Sequence, residues 1–141
     1  MRLLLALVLL LPGCSIAQTL PQSEPPPRLN LTGASNEMFP TACTDPKILK
    51  VCVKPGDSAK LGVELTCTRG GKKVTCGRVM WSTKTSNAGL KGKFNPNPGN
   101  PTIETVSASR TIKKGHYSQV ITARCGVPSC PMQATGAIWV I

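Results

Sequence analysis

Six cysteines, at positions 43, 52, 67, 76, 125 and 130, constrain this chain more than any other feature. An even set of half-cystines in a small exported chain implies a disulfide framework. Their spacing argues against a metal site. Paired zinc ligands are separated by about two to four residues, and here only Cys125 and Cys130 stand that close. The single histidine, His116, lies in the turn-like run Lys113-Lys114-Gly115-His116. No metal and no cofactor is expected.

The export premise rests on the first 17 residues. Met1-Arg2 precedes an apolar run, LLLALVLLL over 3–11. A membrane-spanning helix needs about 20 residues, so the run is too short. A charge before it and Ser15-Ile16-Ala17 after it read as a signal peptide over 1–17, cleaved before Gln18. A rival site overlaps it. Residues 10–14, LLPGC, resemble the lipobox of bacterial lipoproteins, which implies lipidation of Cys14 and a membrane anchor. The first reading predicts a secreted protein, the second a lipid-anchored protein of the bacterial cell envelope.

Residues 18–42 are rich in proline and small polar residues without periodicity, and predict a flexible arm. Within it Asn30-Leu31-Thr32 is a glycosylation sequon, usable at Asn30 in a eukaryotic host. The folded domain is expected over 43–141. In AKLGVELTC (59–67), Leu61, Val63, Leu65 and Cys67 share one face, a period of two that predicts a half-buried strand. ILKVCV (48–53) predicts an earlier strand. KVTCGRVMW (73–81) predicts a later one, with Gly77 as a bulge where the apolar parity shifts. Residues 86–101, SNAGLKGKFNPNPGNP, predict a long loop. Strands resume over 102–112, 117–125 and 134–141. The fold class is all-β, an antiparallel sandwich or barrel.

The residues leave the cysteine pairing open. Neighbours can staple locally: Cys43 with Cys52, Cys67 with Cys76 around a type II′ turn at Gly71-Lys72, and Cys125 with Cys130. The other scheme comes with a resemblance. Cys67 on an inward strand face, Trp81 fourteen residues later and Cys125 on a late strand resemble the pattern of an immunoglobulin-like domain. That resemblance covers 51–141. It implies a disulfide-stabilised sandwich with a Cys67–Cys125 bridge across the sheets and Trp81 packed on it. Cys76 would then pair with Cys130, leaving Cys43 for Cys52. The tyrosine such domains carry two residues before the second cysteine is Ala123 here, and Tyr117 lies further upstream. The cross-sheet bridge is the favoured expectation, because a long loop closed by sulfur contributes more than a short one.

Catalysis finds little to work with. There is one histidine, six scattered carboxylates, no Gly-x-Ser-x-Gly elbow and no glycine-rich phosphate loop. The expectation is a non-enzyme. Charge is more informative: 17 Lys/Arg against 6 Asp/Glu make the chain +11. The candidate basic patch comprises Arg69, Lys72, Lys73 and Arg78, Lys91 and Lys93, and Arg110, Lys113 and Lys114. Loops at one end of a sandwich converge, so two of these groups are expected to merge into one basic patch. Few and dispersed aromatics argue against nucleic acid. An acidic protein surface or an anionic glycan suits an exported binding module. The alternative is a structural or adhesive role for an envelope lipoprotein anchored at Cys14, and only that reading puts the protein on a membrane.

Overall fold

The computed structural model describes residues 28–34 and 42–141. The signal segment 1–17, Cys14 and residues 18–27 and 35–41 lie outside them. Among the described residues nine strands follow one another: β1 (Arg28–Gly33), β2 (Lys50–Val53), β3 (Ser58–Arg69), β4 (Lys72–Val74), β5 (Met80–Thr85), β6 (Leu90–Asn95), β7 (Thr102–Ala108), β8 (Gly115–Arg124) and β9 (Met132–Val140). A single 3-10 turn, Pro46–Ile48, precedes β2, and the Asp45 side chain caps it by accepting from Lys47 N–H at 3.0 Å.

The strands form two sheets. One has the order β1-β3-β7-β6, with β4 also on β3; the other has the order β2-β9-β8-β5. Every pairing is antiparallel except β2 with β9. The alternation read from β3 holds: Leu61, Val63, Leu65 and Cys67 are all buried. They face Val51, Val53, Ile121, Ala123, Ile138 and Val140 from the other sheet within one core. Trp81 on β5 stacks on Phe94 of β6 with ring centroids 5.9 Å apart, an aromatic contact that bridges the two sheets.

The three disulfides are Cys43–Cys52, Cys67–Cys76 and Cys125–Cys130. The expected Cys67–Cys125 and Cys76–Cys130 bridges are therefore overturned. The cause is the β3–β4 hairpin. Arg69 pairs with Lys72, so the turn is Gly70-Gly71, with φ of 56° and 76°. Two positive φ values make a type I′ turn, whose twist suits a hairpin, rather than the type II′ turn expected at Gly71-Lys72. This tight return brings Cys76 to 5.4 Å from Cys67, Cα to Cα. Cys125 follows the end of β8 and turns back to Cys130 through a bond from Cys130 N–H to Val127 C=O. Among the described residues no disulfide joins the two sheets.

Three further expectations change. Arg28–Gly33, inside the predicted arm, is an edge strand that pairs with Val63–Thr68; Leu31 turns inward and is buried there. Residues 73–81 are not one bulged strand. The chain leaves β4 at Val74, passes Gly77 at φ 73° and enters the other sheet at Met80. The predicted 86–101 loop contains β6, because Leu90, Gly92 and Phe94 alternate inward while Lys91 and Lys93 alternate outward. Glycine is required at 92: a Cβ there would lie 2.3 Å from Thr83 Cγ2 and 2.7 Å from Glu104 Oε1.

Tyr117 supplies a corner at the start of β8. Its hydroxyl donates to the backbone carbonyl of Lys113 at 2.8 Å, tying the β7–β8 connection to the sheet.

Candidate functional site

The cationic residues occupy three places. Arg69, Lys72 and Lys73 belong to the β3–β4 hairpin, and Arg78 to the connection that follows it. Arg110, Lys113 and Lys114 belong to the connection after β7. Ser58, the first residue of β3, pairs with Ser107 near the end of β7, whereas the hairpin begins at Arg69, the last residue of β3. A strand of that length extends roughly 35 Å. The two groups thus stand at opposite ends of the sandwich, and these two do not merge. All these residues are exposed. Lys73 Nζ lies 2.8 Å from Glu64 Oε1, a surface ion pair.

Lys91 and Lys93 form the third group, on the outward face of β6. Register extends this group across the sheet. Lys91 pairs with Ser107, and Ser107 with Ser58; Lys93 pairs with Thr105, and Thr105 with Lys60. Lysines thus flank a floor of short hydroxylated side chains. The Ser58 and Ser107 hydroxyls are 2.8 Å apart. A shallow cleft lies beside β6, lined by Lys91, Gly92, Lys93, Phe94, Thr105 and Ser107 among others. Lys60 was legible as part of this surface, since it alternates with the apolar residues of AKLGVEL. Its significance depends on β6 being a strand, which the Asn, Gly and Pro content of 86–101 concealed.

The opposite outer face carries an aromatic group. The His116 and Trp139 rings stack at 4.3 Å between centroids, and Lys50 Nζ lies 4.1 Å from the Trp139 ring centre. His116 is therefore placed against an indole. Among the described residues, no group of three His, Cys, Asp or Glu stands where it could hold a metal. Asn30 of the sequon is exposed on β1.

Two polar features went unread in the sequence. One is buried. Gln119 Nε2 donates to Glu104 Oε2 at 3.1 Å, and the Thr83 hydroxyl donates to Gln119 Oε1 at 3.3 Å. Glu104 is fully buried, and its Oε1 has no hydrogen-bond partner. Burial pushes this carboxyl up to about 7, with the Gln119 amide and the Thr83 hydroxyl working the other way. The other is the 96–101 segment, expected to be part of the long loop over 86–101. Asn97 and Asn100 each use both amide atoms on strand backbone, at Trp81 and Leu65 respectively. Its first visible role is to seal one end of the sandwich.

No family model matches the sequence, and no curated protein does. Among solved structures, the chain is similar to domains 4 and 5 of the S-layer protein SbsC, with a TM-score of 0.51 and 14% identity. The likeness covers 82% of this chain and 53% of that one, so this chain spans about half the length of the solved structure. At that identity the likeness concerns the fold: the chain is a disulfide-bonded, all-β sandwich of the kind found in a surface-layer protein.

Proposed function

We propose that the chain is an exported, non-enzymatic immunoglobulin-like module that holds an anionic partner, an acidic protein surface or an anionic glycan, at the cell exterior. The strand order supports the family assignment. β3, β7 and β6 correspond to strands B, E and D of one sheet, and β5, β8 and β9 to C, F and G of the other. The Tyr117 hydroxyl on Lys113 matches the tyrosine corner of that fold in kind, at the start of its F strand. Three disulfides suit an oxidising compartment.

The observation that carries the binding reading is the imbalance of surface charge. Of the four acids among the described residues, Glu104 is buried and Glu64 is paired with Lys73. The described lysines and arginines therefore dominate the field around the sandwich, and such a field attracts anions in a salt-dependent way. The test is retention of the oxidised protein on immobilised heparin. Tight retention that falls steeply with salt is expected. Elution with a neutral protein of equal size overturns the reading.

The likeness to an S-layer protein favours a second reading, a structural or adhesive envelope protein tethered at Cys14. Intact mass separates the two. A chain beginning at Gln18 supports a free module, and a chain beginning at an acylated Cys14 supports the tether.

A further inference from the structure

We infer that the outward face of the β3-β7-β6 sheet is a trough for one linear anionic polysaccharide, whose sulfate or carboxylate groups engage Lys60 on one rim and Lys91 and Lys93 on the other. The inference rests on the anionic-partner reading above and gives it a place and a ligand class.

The geometry is set by register. Thr105 and Ser107 lie on the middle strand, with Lys60 paired to Thr105 from one side and Lys91 and Lys93 paired to Ser107 and Thr105 from the other. Strands are spaced about 4.8 Å apart, so the two rims are on the order of 10 Å apart. Lys91 and Lys93 are two residues apart on one face, or roughly 7 Å along β6. Side chains on the rims are long and those on the floor are short, so the surface is concave. Its hydroxyls, Ser58 with Ser107 at 2.8 Å and Thr105 beside them, can exchange hydrogen bonds with a sugar ring.

Charge supports the same occupant. Lys91 and Lys93, two like charges on one strand face, repel each other in the free protein, and neither of their cross-strand partners, Ser107 and Thr105, is acidic. An extended polyanion lying along β7 relieves that repulsion at successive lysines. Protection of an exposed strand edge explains lysine on β6, but not the hydroxyl floor with a third lysine on its far side. The floor carries no aromatic residue on which bases could stack, which disfavours single-stranded nucleic acid. Lysines, as compact point charges, suit anionic groups repeated along a flexible chain.

The test measures binding of the oxidised protein to heparin, to polygalacturonate and to short duplex DNA, over a range of salt. Three double variants are compared: Lys91→Gln/Lys93→Gln in the trough, Lys72→Gln/Lys73→Gln in the hairpin, and Lys113→Gln/Lys114→Gln in the β7–β8 connection. The trough variant is expected to bind heparin about tenfold more weakly. Its log–log salt slope should fall by about 1.5, two counterion-releasing contacts fewer. The other two variants, which remove the same charge from the general field but none from the trough, should lose clearly less. Thr105→Glu, which sets a negative charge on the floor, should weaken binding with an unchanged melting temperature. Polygalacturonate bound with the same lysine dependence identifies charge as the recognised feature; heparin alone identifies sulfate. Equal losses from all three double variants overturn the trough while leaving the anionic-partner reading in place. Duplex DNA bound as tightly as heparin, with the same dependence on Lys91 and Lys93, overturns the polysaccharide. No retention of the unaltered protein on any polyanion overturns the reading on which the inference rests.

Discussion

The side chain of Asn100 takes the place of a strand residue opposite Leu65. Its Oδ1 accepts from Leu65 N–H at 2.9 Å, and its Nδ2 donates to Leu65 C=O at 2.8 Å. The site is a gap in the ladder. Along this edge of β3, β7 pairs as far as Val63 and β4 begins at Cys67. Without Asn100, the Leu65 peptide groups would face the gap unpaired, and Leu65 is a fully buried core residue.

Asn100→Ala should therefore destabilise the fold by about 2 kcal/mol, since two backbone groups lose their partner at once. Asn100→Asp keeps the acceptor but not the donor, and should fall between the two. Urea unfolding monitored by tryptophan fluorescence measures both. An Asn100→Ala midpoint equal to that of the parent would refute the bridging role.

Trp81 is anchored by more than its ring. The indole N–H donates to Gly99 C=O at 2.6 Å, and Asn97 bonds both Trp81 backbone groups at 2.9 and 2.8 Å. Trp81→Phe retains an aromatic stack on Phe94 and removes the indole donor. It is expected to cost about 1–2 kcal/mol and to speed proteolysis within 95–101. Mass spectrometry of limited digests would locate the first cuts; cuts elsewhere would argue against the anchor.

Disulfide mapping should return only local peptides. Replacing both Cys67 and Cys76 with Ala is expected to cost about 2.5 kcal/mol on loop entropy. That is less than a long cross-sheet bridge would cost, so the variant should remain folded at room temperature. Complete unfolding would indicate that this staple, rather than the hydrophobic core, holds the sandwich.

Glu104 makes stability depend on pH in the sense opposite to an ion-paired carboxylate. Burial raises it from the ordinary carboxylate value of 4.5 to about 7. Between these values the folded protein binds a proton that the unfolded chain has released, so stability falls as pH rises through this window and is level above it. The full effect is roughly 3 kcal/mol. Glu104→Gln keeps the shape without the titration. It should be more stable than the parent at pH 8, similar at pH 4.5, and flat between. Thermal melts across that range test this, and a parent curve that rises from pH 4.5 to 7 would contradict it.

Legibility in the sequence followed the strength of local periodicity. β3 was readable because its inward positions are uniformly apolar. β6 was not, since its inward row is Leu90, Gly92, Phe94, and glycine at the centre answers to Thr83 and Glu104 on other strands. Glu104 and Gln119 hold inward positions by parity alone, and their polarity hides them from any apolar count. Arg28–Gly33 has a strand's alternation only when β3 is beside it. Nine basic residues were singled out and Lys60 was not, and which groups share an end was not legible, because the ends of a sandwich at which loops emerge depend on strand direction.

From its sequence alone, this chain was legible as a cysteine-rich, strongly basic, all-β domain, because composition and two-residue periodicity act within a few residues of chain. Which cysteines join, which lysines face one another across Thr105 and Ser107, and which carboxyl lies in the dark between the sheets were decided only in three dimensions. Those outcomes turn on cross-strand register and on the path of the chain from one sheet to the other, and both arise from contacts between segments far apart in the sequence.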